Sequence, residues 1–146
     1  MPNWCYNDIT ISHNDKKYID AVIHVLENDG GLFNHLNPDG DWGTKWDADI
    51  THFDKEDNSI NISFNTAWCP PINLYDYMLK QKWHIEALYE ESGCCFVGKY
   101  EDGKDECYEY DFDDDDWKDI PDELKDFADL DEQYKNYIDN IDDKSE

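Results

Sequence analysis

Arginine is absent from this chain of 146 residues, and all 12 of its strongly basic side chains are lysines. Aspartate and glutamate together number 37, so the formal net charge at pH 7 is −25. A field of this sign repels polyanions, which excludes nucleic acid and anionic membrane surfaces as direct partners. The charge favours a basic protein surface, or a cation, as the partner.

Long apolar runs are also missing. No stretch approaches the ~20 apolar residues needed to cross a bilayer, and the first residues, MPNWCYND, lack the basic start and apolar run of a signal peptide. The five cysteines are odd in number and include the neighbours Cys94 and Cys95, a poor basis for a disulfide framework. We therefore expect a cytoplasmic protein with reduced thiols and no membrane partner.

Aromatic residues make up 15% of the chain, whereas disordered acidic chains are poor in them, so most of the sequence is expected to fold. The first hundred residues follow a βαββαβ order. Strands are predicted at residues 4–12, 46–53, 59–68 and 83–90, and helices from Asn14-Asp15 to Asn28–Gly31 and after Pro70-Pro71. The residues between the first helix and the second strand are predicted to be a loop, and Asp102-Gly103 to close a later β-hairpin.

The last third of the chain carries most of the charge. Residues 101–146 contain 21 acidic residues and 5 lysines, a net charge of −16. Apolar residues from Leu124 to Ile141 recur at three- and four-residue steps, which predicts helices whose apolar stripe docks on the domain or pairs with a partner. The predicted fold is thus α+β: a ferredoxin-like βαββαβ sandwich with an extra β-hairpin over residues 1–112, and an acidic helical extension over 113–146 packed on it.

Three segments carry a family resemblance: MPNWCYNDITI at the start, WGTKWDA at 42–48, and FNTAWCPP at 64–71 followed by LYEESGCCFVGKYEDG at 88–103. In this order they resemble the YubB-type ferredoxin-like domain of phages and conjugative plasmids, over residues 1–103. The resemblance implies a mobile-element origin and a ferredoxin-like fold, and it supplies no catalytic residues. The acidic end lies outside the shared segments.

The sequence contains no metal-binding motif. The histidines are scattered, and if Cys94 and Cys95 lie on a strand they face opposite sides. The run Asp111-x-Asp113-x-Asp115 begins like an EF-hand loop, but its sixth position is Asp116 rather than glycine and its twelfth is Asp122 rather than glutamate. We predict no metal and no cofactor.

Catalysis is not predicted either, because nucleophile-elbow and phosphate-loop motifs are missing. Glu90 and Glu91, as neighbours on a strand, would face opposite ways. Cys69 suits a nucleophile only beside a histidine, and a buried residue at a strand end is the preferred interpretation. The protein is therefore expected not to be an enzyme.

The exposed carboxylates favour a DNA mimic. Asp119, Asp122, Glu123 and Asp126 have the i, i+3, i+4, i+7 spacing of one helix face and would form a row of charge. Solubility alone needs a net charge of only about 2–8, and the lysine-rich, arginine-free composition argues against adaptation to salt. The predicted partner-binding residues are Asp111, Asp113, Asp114, Asp115, Asp116, Asp119, Asp122, Glu123 and Asp126. Trp117 and Phe127 are the expected apolar anchors.

The leading hypothesis is a phage or plasmid protein that inhibits a basic, nucleic-acid-binding host defence protein, such as a CRISPR effector or a restriction nuclease. A homodimer would extend the acidic face, and the sequence leaves the oligomeric state open. The alternative is a protein- or ligand-binding module that uses an aromatic surface around Trp42, Trp46 and Trp68. Against that alternative, these tryptophans are the kind of residue that caps the open face of a small sheet.

Overall fold

In the computed structural model, which describes residues 3–28, 30–38 and 40–144, the chain is an α+β protein. Within those ranges it has one six-stranded antiparallel sheet and five α-helices. The strands are β1 (Trp4–Ser12), β2 (Asp49–Lys55), β3 (Ser59–Ala67), β4 (His84–Glu91), β5 (Phe96–Glu101) and β6 (Lys104–Glu109). The helices are α1 (Lys16–Glu27), α2 (Leu32–Leu36), α3 (Ile72–Lys80), α4 (Asp122–Ala128) and α5 (Leu130–Lys144), with a short 3₁₀-helix at Asp116–Asp119.

The strands lie in the order β2-β3-β1-β4-β5-β6, and each neighbouring pair is antiparallel. This six-strand order as a whole is not that of the standard ferredoxin fold. The observed class is α+β, as predicted, while the narrower topology stays a prediction. None of the helices in the described ranges is long and apolar enough to cross a membrane.

Most predicted elements are confirmed, because their apolar periods are regular. β1 spans Trp4–Ser12, and the Asp102-Gly103 hairpin turn has both residues at positive φ, as a tight β-turn of this kind requires. The loop prediction for the region after α1 was wrong at α2. The backbone N–H groups of Phe33 and Asn34 donate to the Asp47 carboxylate over 2.8 and 3.0 Å. This cap comes from 13 or more residues downstream, where local sequence reasoning does not reach.

Two apolar cores lie on opposite faces of the sheet. The first joins α1, α2 and α3 to the inward residues of the strands, among them Ile9, Ile62 and Tyr100. The second joins the 3₁₀-helix, α4 and α5 to the other face through Leu88 and Val97. Side chains alternate along a strand, so β5 serves both cores. The C-terminal helices cover only part of this second face, and beside them β1 exposes its even-numbered residues.

Candidate functional site

The acidic residues predicted as one helical row lie on two elements. Asp119 ends the 3₁₀-helix, Ile120 and Pro121 are extended with ψ of 139° and 140°, and α4 begins at Asp122. The prediction of a single row was therefore wrong for Asp119, because proline ends one helix and begins the next. Asp122, Glu123 and Asp126 do share α4.

All nine predicted carboxylates are nevertheless exposed, and together they are called the acidic surface below. Its loop part is fixed by local hydrogen bonds. The Asp113 N–H donates to the Asp111 carboxylate over 2.9 Å, and the Asp116 N–H donates to Asp114 over 2.8 Å. The Tyr137 hydroxyl of α5 also donates to Asp113. These turns give the charges defined positions instead of leaving them on a flexible tail.

Lysines neutralise only part of the acidic surface. The ion pairs are Lys118–Asp115 at 3.3 Å, Lys125–Asp122 at 3.2 Å and Lys99–Glu123 at 3.1 Å. The hydrogen bond that the Lys99 ammonium donates to the Glu123 carboxylate raises the pKa of Lys99. Among the side chains that the structure describes, the other six carboxylates have no lysine within ion-pair distance. Three lysines against nine carboxylates leave the acidic surface strongly negative.

The acidic surface is supported from beneath by the second core. Trp117 is only 3% exposed, and its ring centroid lies 5.0 Å from that of Tyr134 and 5.5 Å from that of Phe112. Trp117 is therefore unavailable as a partner-facing anchor, and that prediction was wrong, because a ring of this size completes the core on which the helices rest. Phe127 is half-buried and stacks on Tyr6 of β1 at 5.7 Å.

The exposed aromatic residues differ from the predicted set. Trp42 packs against Phe33 at 5.7 Å and its ring N–H donates to the Asn37 carbonyl over 2.9 Å, so this half-buried ring is packed on the first core and exposes only part of its surface. Trp46 and Trp68 are exposed, and Trp4, which the sequence reasoning missed, lies 6.1 Å from Trp46. The alternation of β1 contained the signal: with Ile9 and Ile11 inward, the even-numbered residues must face out.

The loop that carries Trp46 is tied to the sheet at several points. The Thr44 hydroxyl donates to the Ala67 carbonyl over 3.0 Å, and the Cys69 thiol donates to the Gly43 carbonyl over 2.9 Å. Asp47, next to Trp46, caps α2. Trp46 is thus presented from a fixed loop, which lowers the entropy lost when a partner binds.

The cysteines do not form a reactive centre. Burial raises the pKa of the Cys69 and Cys107 thiols, which keeps them protonated and poorly nucleophilic at neutral pH. Cys94 and Cys95 lie in the turn before β5, not on a strand, and Cys95 has a positive φ of 61°. The reason is Glu91, which is buried and accepts hydrogen bonds from the N–H groups of Gly93 and Cys94, closing the turn.

Other clusters offer little for catalysis. A cavity of about 370 Å³ beside β6 is lined by Tyr89, Asp105 and Cys107, and the Tyr89 hydroxyl donates to Asp105 over 2.5 Å. Burial raises the pKa of Tyr89 well above its ordinary value, so its hydroxyl stays neutral. Within the described residues, no group of three or more His, Cys, Asp or Glu side chains is placed to hold a metal ion.

No family model, curated protein or solved structure matches this chain. The resemblance to the YubB-type domain therefore stays a prediction, and the case for function rests on the surfaces described above.

Proposed function

We propose that this protein inhibits a basic host protein by presenting the acidic surface in place of nucleic acid. The observation that carries this proposal is a set of exposed carboxylates on a segment that packs on a buried core, and most of them have no lysine partner among the side chains that the structure describes. The target class is a nucleic-acid-binding defence protein, such as a CRISPR effector or a restriction nuclease, encountered in the bacterial cytoplasm. The protein acts by binding and not by catalysis, and it comes from a phage or plasmid.

The mechanism follows from electrostatics. A groove that binds phosphates carries clustered lysine and arginine side chains, and a fixed array of carboxylates attracts the same field. Long-range attraction raises the association rate and makes binding fall with salt. A rigid array is required, because charges on a disordered tail would lose conformational entropy on binding. The turns at Asp111–Asp113 and Asp114–Asp116 supply this rigidity.

The test has two stages. Affinity capture from a host lysate at low and high salt, followed by mass spectrometry, identifies proteins that bind in a salt-sensitive way. Each purified target is then bound in the presence of increasing duplex DNA. We expect the target to be a nucleic-acid-binding protein for which DNA and this protein compete, so that binding of one prevents binding of the other. A salt-insensitive neutral target, or a target that binds both at once, contradicts mimicry.

A charge-matched pair of variants locates the surface. The first variant carries Asp113→Asn, Asp114→Asn, Asp116→Asn and Asp119→Asn. The control variant carries Asp20→Asn, Glu27→Gln, Glu56→Gln and Asp57→Asn, which neutralise the same number of exposed acids elsewhere. At about 0.2–1 kcal/mol per charge, the first should weaken target binding roughly 4-fold to 700-fold. Equal losses in both variants would mean that only net charge matters.

A second candidate function is a binding module whose aromatic surface recognises a protein or small ligand independently of charge. The observation that favours it is the exposure of Trp4 and Trp46 side by side on a fixed loop and strand. It predicts that Trp4→Ala abolishes binding to the captured target while the four-aspartate variant binds as well as the parent.

We also propose a ferredoxin-like origin for residues 1–112, with residues 113–146 as an added acidic extension. Support comes from the first four strands, which lie in the order β2-β3-β1-β4 with α1 and α3 in the two crossover connections. The β5–β6 hairpin then extends the sheet beyond β4. A solved structure of a YubB-type domain with a different strand order would contradict this relationship.

A further inference from the structure

Four aromatic rings lie along the open face of the sheet. Trp46 lies 6.1 Å from Trp4, and Tyr6 follows Trp4 on the same face of β1. Tyr6 then stacks on Phe127 of α4 at 5.7 Å. Trp4, Tyr6 and Trp46 are 47%, 36% and 43% exposed, which is high for large rings. These four residues are called the aromatic row, which extends from the loop 42–48 to α4.

Two carboxylates are neighbours of this row, one in the strand pairing and one in the sequence. Glu90 is paired across the strands with Tyr6, and Asp126 precedes Phe127 in the sequence. Burial and the nearby Asp129 raise the pKa of Glu90, whose polar contact is the Gln133 amide at 3.4 Å. A partner's cation placed beside the exposed rings would therefore stabilise the charged form of this half-buried carboxylate.

The ring faces already attract positive charge. The Lys45 ammonium lies 5.1 Å from the centroid of Trp46, within the range of a cation–π contact. This lysine is carried by the same loop and is exposed, so a partner's cation can displace it. The aromatic row and its carboxylates thus offer a planar cation both ring faces for stacking and carboxylates for ion pairing.

We propose that the aromatic row binds arginine side chains of the basic partner, with each guanidinium stacked on a ring and paired with a neighbouring carboxylate. Arginine fits better than lysine, because its guanidinium is planar, weakly hydrated and forms bidentate pairs with carboxylates. Nucleic acid also stacks on aromatic rows, but a net charge of −25 repels it. This inference rests on the proposed function: the acidic surface attracts the basic groove, and the aromatic row selects its arginines.

The test uses oligo-arginine and oligo-lysine peptides of equal length, titrated calorimetrically into the full-length protein. Both feel the same long-range attraction, so their affinity ratio isolates stacking. At about 0.5–1 kcal/mol per exposed ring, the parent should prefer the arginine peptide roughly 2-fold to 5-fold for each ring engaged. Trp4→Ala and, separately, Trp46→Ala should lower that ratio. Tyr18→Ala, which removes an exposed ring on α1 outside the row, should leave it unchanged.

The outcomes separate this inference from the proposed function. A ratio near one in the parent protein, or a ratio that both tryptophan variants leave unchanged, overturns arginine stacking. Tighter binding of a single-stranded oligonucleotide than of either peptide also overturns it. The four-aspartate variant should weaken both peptides equally and keep their ratio. If that variant instead binds the captured target as well as the parent does, the mimicry proposal fails while the arginine preference stands.

Discussion

Replacing Leu124 by alanine tests whether the acidic extension is a separate cooperative unit. Leu124 is 2% exposed and belongs to the second core together with Val97 and Trp117. Removing a buried leucine side chain costs about 2–5 kcal/mol, because apolar contacts are lost and a cavity remains. If the extension opens independently of the sheet, its amide hydrogens should exchange roughly 30-fold to 4,000-fold faster.

Hydrogen exchange followed by mass spectrometry measures this effect segment by segment. Peptides from α4 and from Tyr110–Ile120 should exchange faster in Leu124→Ala, while peptides from β1 and β3 should keep the parent rates. Ile62→Ala is the matched control, since Ile62 is fully buried in the first core. It should accelerate β1 and β3 and leave the local opening of α4 unchanged. Equal acceleration of β1 and α4 in Leu124→Ala would refute the boundary near residue 112 and show one folding unit.

Three further predictions concern single side chains, each measured by urea unfolding. Glu90→Gln should be more stable than the parent at pH 7.5, because burial and the nearby Asp129 disfavour the charged carboxylate in the folded state and so raise the pKa of Glu90. The parent gains stability as the pH falls through this raised pKa, and the gain is complete only below the pKa of Glu90 in the unfolded chain. The difference in stability should therefore shrink at low pH, and a constant difference would contradict this explanation. Gly98→Ala should destabilise the protein by about 1–3 kcal/mol, because the added Cβ would overlap the end of the Tyr89 side chain and lie 2.7 Å from the Glu106 carbonyl oxygen; an unchanged midpoint would show that both the ring and the β6 backbone shift without cost. Trp68 has a φ of 72°, so Trp68→Gly should be more stable than Trp68→Ala by about 1 kcal/mol, and the reverse order would place the strain elsewhere.

The fold class could be predicted because local patterns agree with the final structure. The alternation in β1, the apolar spacing of α1 and the Asp102-Gly103 turn each specify an element through neighbours in sequence. The misses have different causes. α2 needs the Asp47 cap from 13 or more residues downstream, whereas the turn at Cys94 depends on Glu91, which is a close neighbour in sequence but whose burial the local pattern does not reveal.

The candidate site was predictable in its charges but not in its architecture. Exposure of the acidic surface follows from composition, because carboxylates without partners stay in water. Whether Trp117 or Trp42 faces a partner depends on which rings fill the two cores, and periodicity within one segment does not decide that. Trp4 was accessible to sequence reasoning, since the parity of β1 already placed it outside.

The ion pairs of the acidic surface suggest a physical reason for the absence of arginine from the chain. Arginine would hold the chain's own carboxylates in bidentate pairs, and it would stack on the chain's own exposed rings. Lysine makes weaker point contacts, and one pair that engages the acidic surface, Lys118–Asp115, is exposed to solvent on both sides. Such pairs are readily exchanged for stronger ones. A surface built to receive another protein's arginines therefore gains by carrying none of its own, because every internal guanidinium would compete with the partner for the same carboxylates and rings.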